Sequence, residues 1–219
     1  MTSFSALNEG QKDAIKKAYT CDWFNIIHGP PGTGKSECLT VLLEVMAKEG
    51  KRVLICAESN KPVDNLLAKF AETREFKRMN EAWTILRLGD KLRIEKDWKK
   101  LLLNFKLDVA ARCQEWTEKQ NRKNRYRAKN KGYAHRDIPA KLPELGDITH
   151  KSRKEIKDAI FNKTKFVFST QCSIFDKKTF EALSNRQFDY AIIDEASQSF
   201  SGQTLMAIAV SKRVIRRSR

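Results

Sequence analysis

The sequence lacks any cysteine arrangement that would build a disulfide framework or a zinc site. Its five cysteines are odd in number and widely spaced, and they form neither a C-x-x-C pair nor a Cys/His cluster of metal-ligand spacing. We therefore expect reduced, mostly buried thiols. Long apolar runs are also missing: no stretch approaches the length that crosses a bilayer, and residues 1–10 contain no apolar core of a secretion signal. These absences predict a soluble intracellular protein, in the cytoplasm, the nucleus or both, with no membrane partner.

Acidic residues are scarce relative to basic ones. The chain of 219 residues has 43 Lys and Arg against 27 Asp and Glu, which gives a formal net charge of +16. An excess of this size indicates a polyanionic partner, and nucleic acid is the leading candidate. With 41% hydrophobic residues, a chain of this length can bury one substantial core with an appendage rather than two full domains.

The strongest motif is GPPGTGKS at residues 29–36, which fits G-x-x-x-x-G-K-[ST] at every fixed position. An apolar run precedes it and a helical apolar pattern follows, which is the strand–loop–helix context of a phosphate-binding loop. Glycines let backbone N–H groups close around a polyphosphate at the positive end of the helix. We expect Lys35 to reach the β- and γ-phosphates of a nucleotide and the Ser36 hydroxyl to be a ligand of Mg²⁺. The predicted phosphate-binding residues are Gly29, Pro30, Pro31, Gly32, Thr33, Gly34, Lys35 and Ser36.

A second motif, Asp194-Glu195, directly follows the apolar run at residues 190–193. Asp194 at the carboxyl end of a strand would hold Mg²⁺ directly or through water, and Glu195 could orient and deprotonate the attacking water. Gln11 has a structural interpretation, because Asn8 and Gln11 have the spacing of a helix capping box.

The order of the apolar runs predicts an α/β fold with a parallel sheet. Further strands are expected at residues 52–57, 83–88 and 165–170, with helical patterns between them. Residues 213–215 have the pattern expected at the start of another strand. We predict that the arginines after it, Arg216, Arg217 and Arg219, form a solvated tail that is not aimed at the nucleotide.

Between residues 91 and 164 the strand pattern disappears and basic residues accumulate. Residues 119–131 carry only basic charges, with Tyr126 between two arginines, which suits phosphate contact with an aromatic ring for base stacking. A solvated helix face or a loop without structure of its own fits the same composition equally well. Turn signals at residues 139–146 favour a helical hairpin whose second helix lies near residues 151–162. The predicted nucleic-acid contacts here are Arg122, Lys123, Arg125 and Arg127.

Several segments, taken in chain order, resemble the motifs of superfamily-one RNA/DNA helicases of the up-frameshift-like group, in particular the immunoglobulin mu-binding (Smubp-type) helicases. They are L-N-x-x-Q, IIHGPPGTGKS, VLICAESNKPVDNL, ILRLGD, STQCS and IIDEASQ. The resemblance implies a RecA-like P-loop NTPase fold that binds ATP and Mg²⁺, with Gln11 reading the adenine edge and Gln198 as a nearby partner. It also implies contacts to single-stranded RNA or DNA, through Ser59, Asn60, Val63, Asn65 and Thr170.

The resemblance also divides the chain. Residues 1–90 correspond to the first part of a RecA-like domain, residues 91–164 to a basic, stalk-like helical insertion, and residues 165–219 to the remainder of that domain. No counterpart is seen of the family's β-barrel subdomain, of its G-D-x-x-Q segment or of its second RecA-like domain with the arginine finger. We therefore expect a truncated helicase domain with little or no turnover alone. Two alternatives stay open: a nucleotide- and nucleic-acid-binding module without turnover, and a P-loop ATPase acting on protein.

Overall fold

A computed structural model describes residues 4–30, 32–90, 92–111, 114, 151–185, 187–197 and 201–218. The fold is built on a six-stranded, fully parallel sheet in the order β1-β6-β5-β2-β4-β3. The strands are β1 (Phe24–His28), β2 (Val53–Ala57), β3 (Ile85–Arg87), β4 (Phe166–Thr170), β5 (Phe188–Asp194) and β6 (Ser211–Ser218). This sheet confirms the predicted α/β, RecA-like P-loop fold class.

Helices cover both faces of the sheet, as continuous apolar strands require. They are α1 (Glu9–Thr20), α2 (Lys35–Lys48), α3 (Asn60–Ala71), α4 (Arg74–Glu81), α5 (residues 103–111), α6 (Arg153–Lys163), α7 (Gln171–Phe175), α8 (Lys177–Ser184) and α9 (Ser201–Ala209). Two 3₁₀ turns add Phe4–Ala6 and Lys96–Leu101. No helix in the described ranges is long and apolar enough to span a bilayer.

Strand alternation divides the core into two layers. Side chains such as Ile55, Phe168 and Ile192 pack with α1 to α4, whereas their chain neighbours on the opposite face pack with α5 to α9. The central strands β2 and β4 are buried at every position. Because all six strands are parallel, their carboxyl ends lie at one edge of the sheet, and the candidate site lies there.

The structure departs from the sequence predictions at the end of the chain. The strand pattern at residues 213–215 belongs to β6, which extends to Ser218 between β1 and β5. The prediction of a solvated arginine tail is therefore wrong for Arg216 and Arg217, while Arg219 lies outside the described residues. The short α7 was not predicted, because five residues are too few to show a helical period. Most of the predicted insertion, including Arg122, Lys123, Arg125 and Arg127, also lies outside the described residues.

Candidate nucleotide site at the carboxyl edge of the sheet

The loop at residues 29–34 connects β1 to α2 and wraps the amino end of that helix. Gly32 and Gly34 have φ of 80° and 77°, the left-handed region that glycine adopts without steric cost. A Cβ added to Gly34 would lie 2.4 Å from Nε2 of Gln11, so a side chain would collide there as well as strain the backbone. The loop thus leads into the amino end of α2, where the unpaired first N–H groups of a helix favour an anion.

Lys35 is held at the centre of this loop. Its side chain is 9% exposed, and Nζ donates to the carbonyl oxygens of Gly29 and of Pro30, the latter at 2.7 Å. An ammonium group has three donors, so these two bonds leave a further donor for an anion. Lys35 is therefore positioned by the loop.

Asp194 and Glu195 lie at the carboxyl end of β5. Asp194 is 3% exposed, and burial raises the pKa of its carboxyl group although nearby Arg217 acts in the opposite direction. The backbone N–H of Glu195 donates to Asp194 Oδ1 at 2.8 Å. Glu195 itself has φ of 51°, a conformation that is uncommon for a non-glycine residue and that clusters at functional sites. The chain turns sharply here, immediately after the strand.

Arg217 of β6 reaches the same carboxylate. Its Nη1 lies 2.8 Å from Asp194 Oδ1 and 2.9 Å from Oδ2, and its side chain is only 14% exposed. The sequence prediction missed this contact because it placed Arg217 in a solvent-exposed tail. The alternation of Arg213, Ile215 and Arg217 is a strand signal, but their partners follow from the register of β6 with β5, which pairs Arg213 with Tyr190 and Ile215 with Ile192.

Lys35, Glu195 and Arg217 line one open cavity of about 570 Å³. On its wall, Lys69 of α3 and Glu37 of α2 form an ion pair at 2.8 Å, and the Lys69 hydrogen bond lowers the pKa of Glu37 despite partial burial. The cavity is lined by Gly32, Thr33, Gly34, Lys35, Ser36, Glu37, Lys69, Glu195 and Arg217. The structure thus brings the two sequence motifs to one cavity and adds two cations that the sequence analysis had not assigned to it.

Gln11 has a structural role at the rim of this site. Its side chain and that of Asn8 form the predicted capping box of α1, with Asn8 N donating to Gln11 Oε1 at 3.0 Å. Gln11 Nε2 donates to the carbonyl oxygen of Thr33 at 3.1 Å, which ties α1 to the phosphate loop. The capping prediction is confirmed, and the adenine-reading role stays a prediction. Pro31 and Gln198 lie outside the described residues.

The residues predicted to contact nucleic acid do not share one environment. Ser59 precedes α3 and is exposed, as is Asn65, whereas the Val63 side chain is 1% exposed and packs in the core. Thr170 is 6% exposed, and its hydroxyl accepts from the backbone N–H of Ser173 at the start of α7. A contact by Val63 would therefore have to use its backbone, because its side chain is enclosed.

Asn60 belongs to a buried network around Arg87 that the sequence analysis did not identify. Arg87 is 0% exposed, its Nε lies 2.9 Å from Asp64 Oδ1, and its Nη2 donates to Asn60 Oδ1 at 2.8 Å. Nη1 donates to the carbonyl oxygen of Leu88 at 2.6 Å. The sequence does contain a signal for this network, a lone arginine inside the apolar strand ILRL. A cation buried in such a strand requires a polar or acidic partner. This network attaches the start of α3 to β3.

Comparison with known proteins identifies a family. Residues 6–131 and 106–215 match the family described as AAA domain. The DNA polymerase alpha-associated DNA helicase A of Schizosaccharomyces pombe is 28% identical over 218 residues, covering 95% of this chain and 30% of that protein. The DNA-binding protein SMUBP-2 of Mesocricetus auratus is 25% identical over 215 residues, covering 96% of this chain and 21% of that protein. This chain spans less than a third of the length of either relative.

Among solved structures, the UvsW helicase of bacteriophage T4 superposes with a TM-score of 0.54 over 96% of this chain and 51% of that one. The sequence identity is 13%, so this likeness concerns the fold alone. Together with the family match and the helicase relatives, the order of motifs around the cavity identifies the chain. It belongs to the AAA domain family and is a helicase-type ATP-binding domain, similar to part of the up-frameshift-like, SMUBP-2-type superfamily-one helicases.

Proposed function

We propose that this chain binds Mg·ATP at the carboxyl edge of its sheet and single-stranded nucleic acid nearby, and that a longer protein containing it couples ATP hydrolysis to translocation or unwinding. The observation that carries the proposal is the shared cavity, in which Lys35 and Ser36 lie on one side and Glu195 on another. A phosphate loop after β1 and an acidic pair after β5, two strands away in the sheet, form the minimal set for phosphoryl transfer to water.

Each side chain has a definite task in this proposal. The N–H groups of the loop and the Lys35 ammonium would hold the β- and γ-phosphates, with their charge facing the amino end of α2. Glu195 would accept a proton from the attacking water, because it follows the strand end that faces the phosphate loop. Gln11, held by its bonds to Asn8 and Thr33, would limit the adenine side of the site.

The oxygen donors present fit Mg²⁺. The Ser36 hydroxyl and the Asp194 carboxylate are hard ligands, and Mg²⁺ in nucleotide sites is held by one or two such groups together with phosphate oxygens and water. Held by Ser36 and Asp194, Mg²⁺ would supply positive charge that neutralises the phosphates. Ser36 is placed for this by the first turn of α2, whereas Asp194 is already bonded to Arg217.

Replacing Lys35 with Ala tests the nucleotide site. We expect ATP affinity to fall at least about tenfold, since a charge-assisted hydrogen bond contributes about 1.5–3 kcal/mol. A titration with a fluorescent ATP analogue measures this. Lys17→Ala, on the exposed face of α1, is the matched control and should bind like the wild type. Equal affinity of the Lys35→Ala variant and the wild type would refute the phosphate-loop assignment.

The proposed nucleic-acid contacts of the insertion rest on charge. Neutralising Lys119, Arg122, Lys123, Arg125 and Arg127 together to Gln should weaken single-strand binding and flatten its salt dependence, because each lost phosphate contact lowers the slope of log affinity against log salt by about 0.7. Base preference should change little, since phosphate contacts carry no sequence information. Fluorescence anisotropy with RNA and DNA oligonucleotides across a salt series measures both.

A control variant with the same loss of charge distinguishes direct phosphate contacts of the insertion from the general attraction of a basic protein for nucleic acid. Five exposed basic residues on α1, α2 and α4 serve for it: Lys16, Lys17, Lys48, Arg74 and Lys77. Their joint change to Gln should leave the slope close to that of the wild type. If both sets lower the slope equally, or neither does, the insertion makes no specific phosphate contacts.

A further inference from the structure

The cavity contains a cation that the proposed reaction does not use. Arg217 Nη1 bridges both oxygens of Asp194, at 2.8 and 2.9 Å, and Asp194 Oδ1 also accepts from Glu195 N. Asp194 is 3% exposed, so this carboxylate meets little solvent and is neutralised by the guanidinium. The carboxylate that the proposed function assigns to Mg²⁺ therefore already has a partner within the chain.

Strand register holds Arg217 in this position. In β5 and β6 the pairs Tyr190 with Arg213 and Ile192 with Ile215 are direct neighbours, and their side chains lie on one face. Arg213 Nη1 donates to the Tyr190 hydroxyl at 2.7 Å, as expected from that register. Two residues further along each strand, the same alternation brings Arg217 to Asp194. The contact is thus set by the sheet itself.

From this geometry we infer that Arg217 and Mg²⁺ compete for Asp194, and that Arg217 moves from the carboxylate to the nucleotide's phosphates when the metal binds. The inference rests on the proposed function, because it assigns a second role within the same site. A guanidinium at 2.8 Å repels a divalent cation and already contacts both oxygens of this carboxylate. Direct coordination of Mg²⁺ by Asp194 would therefore displace Arg217.

After leaving Asp194, the Arg217 guanidinium could contact a phosphate bound in the same cavity. Arg217 lines the same cavity as Lys35 and Lys69, and its planar fork matches phosphate oxygens in two-point geometry. Of the two acidic side chains that line the cavity, Glu37 and Glu195, Glu37 is already paired with Lys69. Without metal, Arg217 neutralises Asp194 beside the phosphate loop, and with metal it becomes a phosphate-binding cation. Nucleotide binding should therefore depend less on Mg²⁺ than it would with Asp194 unpaired.

The test measures ATP affinity by fluorescent-analogue titration, first with EDTA and then across a Mg²⁺ series. The Mg²⁺ midpoint is the Mg²⁺ concentration at which ATP affinity is halfway to its saturating value. We expect Arg217→Gln to lower this midpoint about tenfold, the scale of one charge-assisted contact. The same variant should weaken metal-free ATP binding several-fold. Lys212→Gln is the matched control, because it removes the same charge from the other end of β6, where Lys212 pairs with Asp189. The Lys212→Gln variant should leave the Mg²⁺ midpoint and the metal-free ATP affinity unchanged.

A second variant covers the case in which Arg217→Gln does not fold. Asp194→Asn removes the carboxylate charge but keeps its shape, so it should free Arg217, strengthen metal-free ATP binding and abolish most of the Mg²⁺ effect. Thermal melts without nucleotide establish that each variant is folded. An unchanged Mg²⁺ midpoint in Arg217→Gln, or metal-free affinity that falls in Asp194→Asn, would overturn the inference. Absence of ATP binding by the wild-type chain in both conditions would instead reject the proposed function.

Discussion

Replacing Arg87 with Met is expected to lower the free energy of unfolding by about 3–5 kcal/mol, because it leaves a buried charge without its partner. Arg87 and Asp64 are 0% and 2% exposed and lie 2.9 Å apart. Burial lowers the pKa of Arg87, and the attraction of Asp64 opposes that shift. Without the guanidinium, Asp64 would keep its desolvation cost, and Asn60 and the Leu88 carbonyl would lose a donor.

Urea denaturation followed by circular dichroism measures this change, with two comparisons. Lys17→Met breaks an ion pair between side chains that are 68% and 57% exposed, so it should change stability by less than about 1 kcal/mol. The double variant Arg87→Met/Asp64→Leu removes both charges and should recover much of the lost stability, since an apolar replacement of a buried pair is often neutral. A loss below about 1 kcal/mol for Arg87→Met alone would contradict the assigned network.

The sheet and the phosphate loop could be predicted from the sequence because their signals are local. A buried parallel strand is a continuous apolar run, and residues 53–57 and 166–170 show it and are enclosed at every position. The loop glycines follow from the backbone that a phosphate site requires. In both features, the residues that form the structure lie within a few positions of each other in the sequence.

The contacts of Arg217 and Arg87 could not be predicted in the same way, because their partners come from other elements. Arg217 meets Asp194 only through the register of β5 and β6, and Arg87 meets Asp64 across 23 residues of chain. Arg217 looks like a solvent-exposed charge when sequence neighbours alone are considered, and Arg87 looks like a buried cation whose partner is unknown. Only the tertiary structure shows which acid each one meets, through the register of β5 and β6 for Arg217 and the position of α3 for Arg87.

The catalytic role proposed for Glu195 predicts a large effect on turnover with none on binding. Glu195→Gln keeps the shape of the side chain and removes its ability to accept a proton, so phosphate release should fall about 10²–10⁴-fold, the range of general base catalysis. Binding of Mg·ATP should persist, because the phosphate contacts come from the loop and Lys35. The measurement compares fluorescent-analogue titration with single-turnover phosphate release at high enzyme concentration, which detects the low turnover expected of this chain, with and without single-stranded RNA or DNA.

The control for this variant is Glu181→Gln, which removes an equal charge from the exposed face of α8. It should leave both binding and phosphate release at wild-type values. Equal loss of binding and turnover in Glu195→Gln would indicate that Glu195 supports the strand-end turn, where its φ is 51°, rather than the attacking water. Wild-type turnover in that variant would exclude Glu195 as the base. The proposed chemistry therefore requires loss of turnover with retained affinity, because deprotonating the attacking water is a separate task from holding the phosphates.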